Sequence, residues 1–357
     1  MHPYSNLPNQ NFWNRFVAPT GWRELPFCDT PKFRLSKSDK IATAGSCFAQ
    51  HISRYLSQAG CGTYTAEKAH PLTIEMGGEV DSYQTFSARY GNLYTTRQAF
   101  ELFKQAFGLM PVIEDYVQEK GRFYDLLRPN AIPNGFLSLA EAKADRIYHL
   151  ACVKKMFETT NVFVFTLGLT ECWYNTETGH TYSACPGTAR GEFDPQRHRF
   201  QNLTYPQVMA DLEALLQGLL IVNPAIKVIL TVSPVPLVAT HTSKNVLVAS
   251  TYSKSVLRAV CGEVESRYDN VQYFPSYEII SHAASFGQYL ESDLRGVAER
   301  GVAHVMRCFL SSLFTTEENS TPQKPSMTTP TSGEVEALTA KFLAVECEEI
   351  LNEAPHP

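Results

Sequence analysis

The sequence lacks the patterns that mark several common kinds of protein. Its nine cysteines include no Cys-x-x-Cys pair, so we expect neither a structural zinc site nor a disulfide framework, and a reducing compartment fits better. No HExxH motif, P-loop or GxGxxG turn occurs, and these are the usual signatures of zinc hydrolases and of nucleotide and dinucleotide binding. We therefore expect no metal site and no bound cofactor.

Long apolar runs and a strong positive charge are also missing. No window of 18 consecutive apolar residues occurs, and the first 16 residues contain no apolar segment of signal-peptide length. The formal net charge of −5 argues against a nucleic-acid partner and against a polybasic membrane patch. Hydrophobic residues make up 44% and charged residues 19% of the 357 residues, which is ordinary for a globular chain. These features predict a soluble cytoplasmic protein without a membrane span.

What the sequence does contain is an alternation of strand-length apolar runs with amphipathic helices. The predicted strands are 40–44, 161–167, 227–232 and 271–274, and the predicted helices are 47–59, 95–107, 141–159, 205–220, 250–267 and 295–313. This order is typical of an α/β protein whose parallel sheet is covered by helices on both faces. Ligands of such sheets bind at the carboxyl ends of the strands, so we look for chemistry in the loops that follow them.

One α/β domain with additions accounts for the rest of the chain. We predict an N-terminal arm at 1–38, the domain at 39–314, and loop-rich insertions near 108–138 and 172–203. The Ser/Thr/Pro-rich stretch 315–333 predicts a flexible linker, and 334–357 predicts a C-terminal helix and tail. The apolar face of that helix is a candidate surface for docking on the core or for forming a homo-oligomer.

The first predicted strand ends in Gly45-Ser46-Cys47, a tight turn that leads directly into a helix. A hydroxyl at such a turn stands at the positive end of the helix dipole, near backbone N–H groups that can bind an oxyanion. Ser46 is therefore a candidate nucleophile. Two alternatives stay open: Ser46 as the N-cap of the helix, and Cys47 as the nucleophile.

The segment Gly45–Ala49 resembles the signature of the GSCFA family, which is related to the SGNH/GDSL hydrolases. Five more segments resemble family blocks in the same order: Phe86–Thr95, Phe163–Trp173, Leu230–Leu237, Tyr252–Arg258 and Tyr273–Ile279. Tyr182–Gly187 resembles a family loop, and its Cys185 is a candidate pocket residue or a buried, inert thiol. The resemblance covers roughly residues 10–312.

The resemblance implies a three-layer α/β/α sandwich of the SGNH, flavodoxin-like kind. It implies a serine-dependent esterase or O-acyltransferase in which Ser46 carries the acyl group. The substrate would be a carbohydrate, or another small ester, with O-acetyl groups on polysaccharide as the expected target. A transferase would draw on an acyl donor such as acetyl-CoA.

The resemblance also implies an oxyanion hole. In SGNH enzymes the hole uses the N–H of the nucleophile, a glycine N–H and an asparagine side chain. Gly91 and Asn92 are the candidates for the last two, although Gly-Asn is also a common turn pair. Gly168, Thr170 and Glu171 stand where SGNH enzymes often carry Gly-x-Asn-Asp. Thr170 is thus a candidate oxyanion donor, and Glu171 is a candidate for orienting a base or binding a sugar, or a salt-bridged carboxylate.

The catalytic base departs from the SGNH pattern. Those enzymes carry Asp-x-x-His before the last helix, whereas here Asp293 is followed three residues later by Gly296. A serine hydroxyl needs a neighbouring base to become a good nucleophile. His241, in the loop after strand 227–232, is our first substitute, and His282 and His70 are weaker candidates. His180 and His198, in the polar insertion, are candidates for touching substrate, and a packing role is favoured for His149. Without a base, the alternative is a catalytically inactive carbohydrate-binding or scaffolding protein.

Overall fold

A computed structural model describes residues 2–19, 25, 30–69 and 82–314. The strands are β1 (Ile41–Gly45), β2 (Tyr116–Glu119), β3 (Arg122–Asp125), β4 (Val162–Leu167), β5 (Glu171–Asn175), β6 (Thr181–Tyr182), β7 (His198–Asn202), β8 (Lys227–Val232) and β9 (Val271–Tyr273). The α-helices are α1 (Trp13–Phe16), α2 (Phe48–Gln58), α3 (Ser82–Thr85), α4 (Thr96–Ala106), α5 (Leu139–Thr159), α6 (Tyr205–Val222), α7 (Val246–Arg267), α8 (Ser276–Ser281) and α9 (Glu299–Leu313). Two 3₁₀ helices lie at Asn9–Asn11 and Ala283–Ser285.

The central sheet has four parallel strands in the order β1-β4-β8-β9. Successive side chains of a strand point to opposite faces, so each strand contributes to two core layers. In β4, Phe163 and Phe165 pack into the apolar cluster that α4, α5, α6 and α7 share. Val162 and Val164 pack into the other cluster, with α2, α8 and α9. The structure thus confirms the three-layer α/β/α architecture with a parallel sheet.

The predicted elements of the core match the observed ones to within a few residues. Two helix starts differ by four residues: α9, predicted from 295, begins at Glu299, and α7, predicted from 250, begins at Val246. For α7 the structure shows the cause. The reason is a cap: the side chain of Asn245 accepts a hydrogen bond from the Leu247 N–H at 2.9 Å. A capping asparagine starts the helix one turn earlier than the apolar periodicity indicates.

Both predicted insertions contain more regular structure than the sequence indicates. Within 108–138, β2 and β3 form an antiparallel hairpin. Within 172–203, an antiparallel sheet forms in the order β6-β5-β7. Trp173 of β5 lies opposite Tyr182 on one side and Phe200 on the other. Cross-strand aromatic pairs of this kind stabilise a sheet, but nothing in the local sequence tells which strands will meet.

The described part of the N-terminal arm is tied to the end of the domain. The N–H of Leu35 donates to the carbonyl oxygen of Leu313 at 2.7 Å, and Leu35 forms a parallel bridge with Phe314. The predicted linker at 315–333 and the predicted helix and tail at 334–357 lie outside the described residues. Among the described helices, none is long and apolar enough to cross a membrane.

Candidate active site

Gly45 shapes the turn that carries Ser46. Its φ is +134°, a region that L-residues rarely adopt, and a Cβ built on it would lie 2.2 Å from the carbonyl oxygen of Thr166. The close approach also lets the Ser46 N–H donate to that same oxygen at 3.1 Å. Only glycine fits at this end of β1, where the chain packs closely against β4. The turn that follows places Ser46 at the carboxyl edge of the sheet.

The Ser46 hydroxyl is buried and free of hydrogen bonds within the described part of the chain. The residue is 2% exposed, and its Oγ has no hydrogen-bond partner there. Helix α2 begins at Phe48, the N-cap position belongs to Cys47, and no side chain caps the helix. The N-cap interpretation of Ser46 is therefore wrong.

A small pocket with about 240 Å³ of empty space, including its open mouth, lies at Ser46. Four segments build it: the β1–α2 turn, the segment just before α4, the loop after β4 and the loop after β8. Its walls include Tyr94, Leu169, Val235 and Pro236. Among the described residues that line it, none is acidic or basic. The pocket thus suits a small apolar group and supplies no obvious general base of its own.

Gly168 lies directly against Ser46, because a Cβ built on Gly168 would be 3.2 Å from the Ser46 Cβ. Its N–H, however, donates to the Tyr94 carbonyl oxygen at 2.9 Å. The hydroxyl of the fully buried Thr170 donates to Asn202 Oδ1 at 2.7 Å. The structure therefore brings Gly168 to the nucleophile, while the two predicted donors are bonded elsewhere in this conformation.

Gly91 and Asn92 lie in the segment that packs beside the serine turn. Gly91 has a φ of +70°, as a turn glycine does, and Asn92 is 2% exposed. The next residue ties the segment down, because the Leu93 N–H donates to the Gly45 carbonyl oxygen at 2.8 Å. Asn92 Oδ1 accepts from Gln50 Nε2 at 3.4 Å. Neither Gly91 nor Asn92 is part of the pocket lining, and their oxyanion roles stay predictions.

Glu171 and His241 meet through the backbone of the loop after β8. The Glu171 carboxylate accepts from the Thr240 hydroxyl at 2.6 Å and from the His241 N–H at 3.3 Å. The exposed His241 ring packs on Trp173 and Phe200, with ring centroids 4.8 Å and 5.0 Å away. His241 does not line the Ser46 pocket, and its role as base stays a prediction.

Asp293 and Cys185 lie outside the pocket lining. Asp293 Oδ1 accepts from the N–H groups of Arg295 and Gly296, both at 2.9 Å, and these bonds hold the pKa of its carboxyl below the usual range. Asp293 thus organises the turn in which the SGNH pattern carries its histidine. Burial raises the pKa of the half-buried Cys185 thiol to about 11, which makes a reactive thiolate at this position improbable near pH 7.

The other histidine candidates have structural partners or lie outside the description. His149 is fully buried, and its Nδ1 lies 2.7 Å from Glu67 Oε2. Burial lowers the His149 pKa to about 4, so the ring is neutral at pH 7 and serves packing, as the sequence favours. The His282 ring accepts from the Ala284 N–H at 3.1 Å. His70 lies outside the described residues.

Sequence reasoning missed a group on α7. Ser250, Ser253 and Lys254 share one helix face, being three and four residues apart, and all are buried. Their bonds to the pocket loops are Lys254 Nζ to the Gly168 oxygen at 2.7 Å, the Thr170 N–H to Ser253 Oγ at 3.0 Å, and the Leu237 N–H to Ser250 Oγ at 3.1 Å. A signal existed, because a lysine within the family-like block Tyr252–Arg258 faces the core.

The fold and the site together define a three-layer α/β/α protein with a serine at its first strand-to-helix turn. The family model described as the GSCFA family matches residues 40–309, about three quarters of the chain. The chain therefore belongs to the GSCFA family, and the six segments of the sequence that resemble family blocks in order lie inside the matched range. A comparison with curated proteins found no match.

Proposed function

We propose that this protein is a serine-dependent esterase or O-acyltransferase that carries the acyl group on Ser46. The observation that supports this most is the free hydroxyl: Ser46 Oγ is buried without a hydrogen bond, on a residue that lines a pocket. A buried hydroxyl without a partner costs about 1–3 kcal/mol. Several such groups occur in the described part of the chain, and Ser46 is the one among them that lines this pocket. A hydroxyl that must be free to attack a substrate accounts for that cost.

The chemistry is acyl transfer in two steps. Ser46 Oγ attacks the carbonyl carbon of an ester, its proton passes to a base, and the alcohol leaves with a proton while the acyl group stays on Ser46. Water then takes the acyl group in an esterase, and a sugar hydroxyl takes it in a transferase. The start of α2 favours the negative charge that develops beside Ser46.

The size of the pocket favours a short acyl group. The space at Ser46 is small and bounded by Tyr94, Leu169, Val235 and Pro236, which suits acetyl better than a long chain. A carbohydrate as the alcohol follows from the resemblance to SGNH enzymes. For the transferase direction, we propose acetyl-CoA as the donor.

A second candidate is a carbohydrate-binding or scaffolding protein that keeps the fold without the chemistry. One observation favours it: among the described residues that line the pocket, none is acidic or basic, so no general base touches Ser46 there. This reading predicts sugar binding with an unreactive Ser46.

The deciding experiment is acylation by p-nitrophenyl acetate, followed by intact-mass analysis, on wild type, Ser46→Ala and Cys47→Ala. The proposal predicts an acetyl adduct in wild type and in Cys47→Ala but not in Ser46→Ala. An adduct that is lost only in Cys47→Ala would assign the chemistry to the thiol. No adduct in any of the three, with p-nitrophenyl acetate in excess, would overturn the proposal in favour of the binding protein.

A further inference from the structure

One face of α7 holds both loops that wall the Ser46 pocket. The loop after β4 is held at two points, through the Gly168 oxygen by Lys254 and through the Thr170 N–H by Ser253. The loop after β8 is held by Ser250. The loop after β4 is also bonded to the Tyr94 carbonyl oxygen, which accepts from the N–H groups of Gly168 and Leu169, both at 2.9 Å. Helix α7 therefore supplies the side-chain part of the anchoring that places these pocket walls relative to Ser46.

Lys254 is unusual among these anchors because its ammonium is buried. The residue is 3% exposed, although lysine is almost never fully buried in proteins. Taking an ammonium out of water opposes folding, and an apolar side chain of similar length avoids this penalty. The hydrogen bond that Lys254 makes to the loop after β4 therefore explains this lysine better than a gain in folding stability does.

What Lys254 holds is the peptide beside the nucleophile. Its Nζ donates to the Gly168 oxygen at 2.7 Å, and Gly168 is in van der Waals reach of Ser46. Because a peptide group is planar, fixing this oxygen also fixes the N–H of Leu169, a residue that lines the pocket.

We propose that Lys254 is a positioning residue for Ser46, which seats the Gly168–Leu169 peptide against the nucleophile. The effect of Lys254 on the reaction at Ser46 rests on the proposed function. The effect of Lys254 on the position of the loop after β4 does not, because the loop is held whether or not Ser46 reacts.

The test compares Lys254→Met with Lys244→Met, a matched control at an exposed lysine of the loop before α7. Hydrogen exchange is measured at the amides of Gly168–Thr170, and the rate of Ser46 acylation by p-nitrophenyl acetate is measured on the same samples. We expect Lys254→Met to exchange at least tenfold faster in this segment and to acylate at least tenfold more slowly at saturating ester. Lys254→Arg, which keeps a charged donor, is expected to recover part of the exchange protection and part of the acylation rate. Lys244→Met is expected to match wild type in both measurements.

The two readouts separate the two proposals. Wild-type exchange at Gly168–Thr170 in Lys254→Met overturns the positioning role, whatever the activity. Faster exchange with an unchanged acylation rate also overturns it, because the seated peptide then does not serve Ser46. If wild type shows no acylation, the proposed function fails, while the exchange result still decides whether Lys254 holds the loop. If Lys254→Met does not fold, Lys254→Gln is tested by the same two readouts.

Discussion

Replacing Ser46 with alanine is expected to stabilise the protein. The Ser46 hydroxyl is buried without a hydrogen-bond partner in the described part of the chain, and leaving such a group unpaired costs about 1–3 kcal/mol. Ser46→Ala removes the unpaired group and only one atom of volume. We therefore expect the free energy of unfolding to rise by about 1 kcal/mol, which corresponds to a melting temperature about 2–4 °C higher for a domain of this size.

The matched control is Ser87→Ala, which removes a buried serine hydroxyl that has a partner. Ser87 Oγ accepts the Thr43 N–H at 3.0 Å, so Ser87→Ala leaves that N–H buried and unpaired and is expected to destabilise by about 1–3 kcal/mol. Calorimetry or urea unfolding of both variants checks the opposite signs. If Ser46→Ala melts below wild type, the hydroxyl is satisfied in the folded protein, and the main support for a reactive Ser46 is refuted.

Three further predictions concern the turn, the buried histidine and the base. Gly45→Ala is expected to lower the free energy of unfolding by at least about 3 kcal/mol, because the new Cβ would clash with β4. The control is Gly60→Ala, which has a positive φ but open space around it and is expected to lose about 1 kcal/mol. Equal losses in urea unfolding would contradict this prediction. Burial lowers the pKa of His149 to about 4 in the folded protein, so on acidification the unfolded chain binds a proton at this residue first. The contribution of His149 to the free energy of unfolding is therefore complete above pH 6.5, and about 3 kcal/mol of it is lost as the pH falls to 4. His149→Gln should flatten that part of the pH profile of unfolding, and an unchanged slope would show that other groups cause it. His241→Ala is expected to keep Ser46 acylation within twofold of wild type, since His241 does not line the pocket, and a loss of a hundredfold or more would identify it as the general base.

Most of the core could be predicted because its signals are local. The run Val162–Leu167 is apolar except at Thr166, as is typical of a strand buried on both faces, and it is a central strand of the sheet. The Gly45-Ser46 turn is likewise contained in adjacent residues. The family-like blocks added the order of these elements but not their contacts.

The contacts of the site could not be predicted, because they join residues far apart in the chain. Lys254 bonds to a carbonyl 86 residues earlier, and Thr170 bonds to Asn202 through a sheet that the sequence presents as a polar insertion. The identity of a polar residue says which bonds it is able to make, but the fold decides which partner it meets. Of the residues predicted for the site, Ser46 and Gly168 line the pocket, and the catalytic and binding roles of the predicted residues stay predictions.

The donors of an oxyanion hole illustrate the difference. The Ser46 N–H, which the SGNH pattern implies, is bonded to β4, and the hydroxyl of the candidate donor Thr170 is bonded to Asn202. The N–H of Gly168, which lies against Ser46, is bonded to Tyr94. For Asn92, the structure shows a bond at the amide oxygen, because Oδ1 accepts from Gln50 Nε2 at 3.4 Å. Neither Gly91 nor Asn92 lines the pocket, so their oxyanion roles stay predictions, whereas Gly168 lines it and lies against Ser46.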